Sequence, residues 1–198
     1  MSFIYERNTR PFLNYEEFPD LVRIKEHVDD IVEELKKNRL WLNWGSDSYD
    51  SEGRCTFLSG DWKVCPIYFG RYKGMQLGDL DEQQSRAILS SLPEKFPKTI
   101  ELLKPFEALN FAAFSRLHPK STLHPHKHDN PFAWICHIGL IIPAGNTCGL
   151  KVADQTHLWT KPGDIVVFND NLEHSAWNHS DEDRVVLYID FRRRDEEF

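Results

Sequence analysis

Seven short β-rich runs follow residue 108, broken by Pro- and Gly-containing turns, and a helical periodicity precedes them. Together they predict a mainly β protein built as a double-stranded β-helix (a cupin-like jelly roll), with N-terminal helices packed on one face. The 198 residues suit one domain, with a helical part at about 1–107 and a jelly-roll core at about 108–192.

The first helix is expected from about Tyr15 to about Asn38, capped by Asn14. Its apolar positions Leu21, Ile24, Val28, Ile31 and Leu35 recur at helical spacing, and the remaining face is mostly charged. A second helix is expected over about Asp81 to Leu92, and a shorter third opens near Pro97 and ends before Pro105. Trp41 to Gly78, rich in Gly, Ser and aromatics, reads as irregular, with a strand around Val64 to Phe69.

The β-rich runs are Leu109–Leu117, Ala133–Ile142, Gly149–Val152, Thr156–Trp159, Ile165–Phe168, Ser175–Trp177 and Val185–Phe191. Pro119, Pro143-Ala144-Gly145-Asn146, Ala153-Asp154 and Lys161-Pro162-Gly163-Asp164 supply the breaks.

A net charge of -7 argues against broad nucleic-acid binding, which needs a basic footprint. No stretch approaches the roughly 20 apolar residues of a membrane span, and the first residues lack a signal-peptide pattern. Cys55, Cys65, Cys136 and Cys148 form no CxxC pair and do not read as a disulfide framework. A cytoplasmic location with reduced thiols is expected.

Chemistry concentrates in the C-terminal third. His126 lies in Leu123-His124-Pro125-His126-Lys127-His128, and His174 follows the run Ile165-Val166-Val167-Phe168 and a polar loop. Neutral imidazoles on separate strands suit a divalent iron with coordination sites left open. The usual third ligand is a carboxylate two residues after the first histidine. That position is His128, beside Asp129, so the third ligand is His128, or Asp129, or absent. If the segment is extended, His124, His126 and His128 share one face. Its other reading is a solvated polar loop. His27, His118, His157 and His179 read as surface or structural. Arg184 precedes a strand that looks buried on both faces, where a guanidinium needs a carboxylate. That partner is either a ligand or one of Asp181, Asp183 and Asp190.

Longer stretches carry a resemblance. They are Phe114-Ser115-Arg116-Leu117-His118-Pro119, Pro125-His126, His137-Ile138-Gly139-Leu140-Ile141-Ile142-Pro143, Trp159, Gly163, Ile165 through Asp170, Glu173 through Trp177, and Arg184. In order and spacing they resemble the aspartyl/asparaginyl β-hydroxylase family of iron- and 2-oxoglutarate-dependent oxygenases. The similarity is best over Phe114 to Phe191 and extends back to about Trp62. It implies that His126 and His174 are catalytic iron ligands, in a family known for lacking the carboxylate ligand. It implies that Ser115 and Arg184 hold the distal carboxylate of 2-oxoglutarate and that His137 binds its metal-proximal end. Strand parity agrees, because Ile135, His137 and Gly139 share one face.

Two departures stand out. Family members often carry glycine where this chain has His128. Animal members carry arginines shortly before the His-x-Gly strand, where this chain has Phe132-Ala133-Trp134-Ile135. Lys151 is a candidate to replace them in part, and Trp134, Trp159 and Trp177 either line an apolar site or belong to the core.

The implied activity is hydroxylation of an amino acid, a peptide residue or a small metabolite. Fe(II), 2-oxoglutarate and O2 would be consumed or used, with succinate and CO2 as co-products. No nucleic-acid or membrane partner is expected, and sequence is silent on oligomeric state. One alternative is a three-histidine, cosubstrate-free dioxygenase of the thiol-oxidising kind, with His128 as third ligand. Another is a non-catalytic metal-binding jelly roll acting as a sensor.

Overall fold

The computed structural model describes residues 9–38, 40–43, 58–69, 77, 80–128 and 133–192. Among these the chain forms two antiparallel sheets laid face to face, with helices on the outer face of the larger. The strands are β1 (Phe12–Leu13), β2 (Leu42–Asn43), β3 (Leu58–Ser59), β4 (Trp62–Phe69), β5 (Leu109–Leu117), β6 (Ser121–His126), β7 (Ala133–Ile141), β8 (Cys148–Val152), β9 (Gln155–Trp159), β10 (Ile165–Phe168), β11 (His174–Asn178) and β12 (Arg184–Arg192). The seven-stranded sheet has the order β1-β10-β7-β12-β5-β4-β2, and the five-stranded sheet β3-β6-β11-β8-β9. This is the expected jelly roll. All seven expected β-rich runs are strands, within a residue or two at their ends.

The large sheet is covered on both faces, and its central strands therefore read as nearly continuous apolar runs. On β7, Trp134, Cys136, Ile138 and Leu140 pack under the helices, while Ile135 faces the small sheet. On β12, Val185, Leu187, Ile189 and Phe191 take the helix side, and Val186 the inner side. Burial of this kind holds the Cys65 thiol up at about 12 and the Cys136 thiol well above its ordinary value. Cys55 lies outside the described residues, as does most of Trp41 to Gly78.

The long N-terminal helix is instead three pieces. Asn14 caps only a 3-10 turn, Tyr15–Glu17, its side chain accepting from the Glu16 N–H at 3.1 Å. The helix α1 (Pro19–Lys25) then starts on a proline, which has no N–H to continue a preceding helix. Next, α2 (Val28–Lys37) follows a non-helical His27. The apolar spacing survives both breaks, since Leu21, Ile24, Val28, Ile31 and Leu35 are all buried. Further on, α3 (Glu82–Lys95) begins with a capping box in which Asp81 and Gln84 exchange bonds at 2.8 and 3.1 Å. The last helix, α4 (Pro97–Leu103), is tied to α2 by Glu34, whose carboxylate accepts from the Lys98 and Thr99 N–H groups at 2.6 and 2.9 Å.

Phe114 is fully buried where β5 meets this helical layer, its ring 5.3 Å from Phe96. Phe114→Ala is expected to cost about 3–5 kcal/mol, read as a lower urea midpoint at unchanged slope. A loss below about 1 kcal/mol would show that the helices do not depend on this contact.

Candidate active site

Between the sheets lies a cavity of about 50 Å³. Three histidines stand at one end, Arg184 and Ser115 at the other, and His137 between them. The inner face of β12 measures the separation. Arg184 begins the strand, Tyr188 pairs with His137, and Asp190 is level with Ile135 and Phe168. The Phe168 ring is 5.6 Å from that of His174.

His126 and His174 are register partners on β6 and β11, with ring centroids 4.3 Å apart. A β-bulge makes this possible. Ala176 pairs with Leu123 and His174 with His126, so two steps on β11 match three on β6. The extra length falls at His124-Pro125, where proline has no N–H for the ladder. Leu123 and His126 thus both face inward. His124 turns outward, its Nε2 lying 2.6 Å from Ser59 Oγ. The expectation that His124, His126 and His128 share one face is corrected accordingly. His128 does join the pair: one ring nitrogen from each of His126, His128 and His174 lies within 4.8 Å of the others. Its main-chain N–H is anchored on the Asp170 carbonyl at 2.9 Å. Asp129 lies outside the described residues.

Backbone carbonyls select the tautomers of the central pair. His126 Nδ1 is 2.7 Å from the His124 oxygen, and His174 Nδ1 is 2.9 Å from that of Leu172. A carbonyl only accepts, so each Nδ1 carries the proton and each Nε2 carries the lone pair a metal needs. Burial, more than mutual repulsion, lowers the proton affinity of the cluster. It holds His174 at about 4 and moves His126 and His128 below the usual histidine value. The donor set is therefore neutral near pH 7, the form that binds a divalent ion.

Arg184 is 1% exposed, and its Nε and Nη1 have no hydrogen-bond partner among the described residues. The three candidate aspartates are otherwise engaged: Asp181 with Lys120 at 3.0 Å, Asp183 with His118 at 3.2 Å, and Asp190 with Asn110 at 3.0 Å. Burial pulls the Arg184 guanidinium down to about 10, opposed in part by the Cys148 thiol nearby, and the Trp159 ring lies 5.1 Å from it. Ser115 Oγ accepts from the Trp62 indole N–H at 2.9 Å, which leaves its own O–H to donate. Both His137 ring nitrogens are buried and have no hydrogen-bond partner among the described residues. Burial first, then the nearby Arg184 charge, keeps that imidazole neutral.

Asn178 fixes the entry to β12. Fully buried, it faces the Leu117, His118 and Glu182 carbonyls at 2.8–3.0 Å, and its Oδ1 accepts from Ser180 N–H at 3.1 Å. Leu117 is the register partner of Arg184. Nothing in the sequence marked Asn178 for this role, nor Asp170, Phe168 and Tyr188 as cavity walls. Asp170 at least was open to inference, because it lies in the polar loop that delivers His174.

The structure also decides the remaining candidates. Lys151 is exposed on β8 between inward-facing Leu150 and Val152, so it points away from the cavity. Trp134 belongs to the core under the helices, and Trp177 lies over Gly149 on the outer face of the small sheet. Trp159 is core inside the roll and touches both Arg184 and His137. His118 is structural as expected, held between Asp61 and Asp183 at 3.3 and 3.2 Å.

Comparison with known proteins places this geometry. The family described as aspartyl/asparaginyl beta-hydroxylase matches residues 22–194. The chain belongs to that family. Among relatives, the ornithine lipid ester-linked acyl 2-hydroxylase of Rhizobium tropici is 35% identical over 96 residues, 48% of this chain and 34% of that protein. The aspartyl/asparaginyl beta-hydroxylase of Homo sapiens is 28% identical over 133 residues, 66% of this chain and 16% of that protein. The chain thus spans about a third or less of the length of these two relatives. A Pseudomonas putida prolyl-4-hydroxylase superposes with a TM-score of 0.42 at 15% identity over 88% of each chain. A cupin-like protein of Thermotoga maritima gives 0.41 at 14% identity over 78% of this chain and 81% of its own. Among the described residues no helix of this family member is long and apolar enough to cross a membrane.

An unpaired buried guanidinium destabilises the ligand-free protein. Arg184→Met is expected to stabilise that state by about 1–4 kcal/mol in urea unfolding. An unchanged or lower midpoint would mean that the charge is already satisfied.

Proposed function

We propose that this chain is an Fe(II)- and 2-oxoglutarate-dependent dioxygenase that hydroxylates an amino acid, a peptide residue or a small metabolite. One observation carries the reading. A single cavity has a neutral three-histidine donor set at one end and a buried arginine with two unmatched N–H donors at the other. Two anchors on opposite walls suit a ligand that meets a metal at one end and bears a carboxylate at the other.

His126 and His174 would hold iron through Nε2, their orientation fixed by the His124 and Leu172 carbonyls. His128 is the proposed third ligand. Arg184 Nε and Nη1 would grip the distal carboxylate, with Ser115 adding its O–H. Neutral His137 would donate one N–H to the metal-proximal end of 2-oxoglutarate. Bound together, iron and 2-oxoglutarate supply the O2 activation, with succinate and CO2 as co-products. Ile135, Leu123, Leu150 and Phe168 line the same cavity and keep bulk water from the reacting groups.

The clustering of His128 with the other two histidines also favours a second reading, a cosubstrate-free three-histidine dioxygenase acting on thiols. That reading leaves Arg184 without a partner.

An anaerobic titration separates them. Fe(II) followed by 2-oxoglutarate is expected to produce a visible metal-to-ligand charge-transfer band. Arg184→Ala should weaken 2-oxoglutarate binding about 100-fold, from the loss of charged hydrogen bonds. No band at saturating 2-oxoglutarate, with thiol-stimulated O2 uptake, would establish the second reading instead. His128→Gly is expected to lower iron affinity, and unchanged affinity would remove His128 from the ligand set.

A further inference from the structure

Opposite the histidines, the inner face of the large sheet carries one transverse row of side chains. Register alone places Phe69 across from Phe111, Phe111 from Asp190, Asp190 from Ile135, and Ile135 from Phe168. Ile135 and Phe168 line the cavity, as does Tyr188 one pair further in, so the row stands at the histidine end. The aromatic rings form a chain, with Phe69 and Phe111 at 5.1 Å, Phe111 and Tyr188 at 6.0 Å, and Tyr188 and His137 at 5.4 Å. Phe69, Phe111 and Tyr188 are each only partly buried.

Asp190 is the single charged residue of this row. It is 9% exposed. One oxygen accepts from Asn110 Nδ2 at 3.0 Å, and among the described residues the other has no partner. A second bulge builds that contact. Asp190 pairs with Phe111 but Phe191 with Leu109, so Asn110 is the extra residue of β5. No cation answers the carboxylate among the described residues. The next inward residue on β12, Arg192, donates to the Glu107 carbonyl at 3.0 Å instead. The facing residue on β7 is Ile135.

A carboxylate with one oxygen unmatched, set among partly exposed aromatic rings, has the chemistry of a site for an organic cation. We propose that Asp190, flanked by Phe69, Phe111 and Tyr188, receives a protonated amine on the substrate and lays the attached apolar chain towards His126 and His174. This rests on the dioxygenase reading for the meaning of "substrate", while the amine site itself does not. Burial raises the proton affinity of Asp190, and an arriving cation would oppose that effect. Among the described residues the row carries a carboxylate and no cation, a match for an amine-bearing substrate.

Calorimetric titration of the metal-free protein with hexylammonium and with hexanol tests this. The two probes share an apolar chain and differ in the charged head. Hexylammonium is expected to bind wild type about tenfold or more tightly than hexanol. In Asp190→Asn that preference should fall to about twofold, and Phe111→Ala should weaken both probes. Equal binding of the two probes by wild type would overturn the proposal without any variant. A preference that persists in Asp190→Asn would assign it to the net negative charge of the chain, and would overturn it too. Because no iron or 2-oxoglutarate is present, the outcome is independent of the charge-transfer band.

Discussion

Coverage of the large sheet on both faces is the constraint from which the rest follows. Helices close its outer side and the five-stranded sheet closes the inner side. Most residues of β5, β7 and β12 therefore face either the helix-packed core or the interior between the two sheets. Period-two alternation sets that assignment between bulges, and a fully buried polar side chain is tolerated where it faces inward to a partner or a ligand. Ser115, His137, Arg184 and Asp190 all obey this. The apolar residues beside them, Phe114, Cys136, Ile138, Val185 and Ile189, hold the wall in place from behind.

Much of this was legible in sequence. Hydrophobic runs of the right length gave the strands, and inward parity on β7 predicted which neighbours His137 would have. The helical periodicity from Leu21 to Leu35 identified the buried face correctly. It could not report the backbone breaks at Pro19 and His27, because packing preserves the apolar stripe across them. Bulges were the larger blind spot. A strict alternation puts His124 beside His126, whereas one extra residue at His124-Pro125 separates them. The same failure hid Asn110, whose place opposite Asp190 depends on a second extra residue. Lys151 was misplaced for a simpler reason, since only the pairing of β8 with β11 reveals which way its side chain points.

The two ends of the cavity are specified by different means. Tautomer and direction at the histidines come from main-chain carbonyls within two residues in sequence, a local device. At the other end, Asn178 gathers the turn before β12 and ties it to the Leu117 carbonyl, across the register from Arg184. Under the proposed function, loop changes near the histidines would alter metal geometry while leaving carboxylate recognition intact. Changes around Asn178 would do the reverse.

The buried thiols have a consequence for durability. Oxidation of cysteine proceeds through the thiolate. Cys136 is adjacent to His137 but turned to the helix side, and desolvation keeps it and Cys65 in the thiol form. The β7 strand beside the cavity thus presents its oxidisable sulfur to hydrocarbon and its imidazole to the cavity. Under the proposed oxygenase reading, that arrangement would keep this sulfur away from oxidants formed in the cavity.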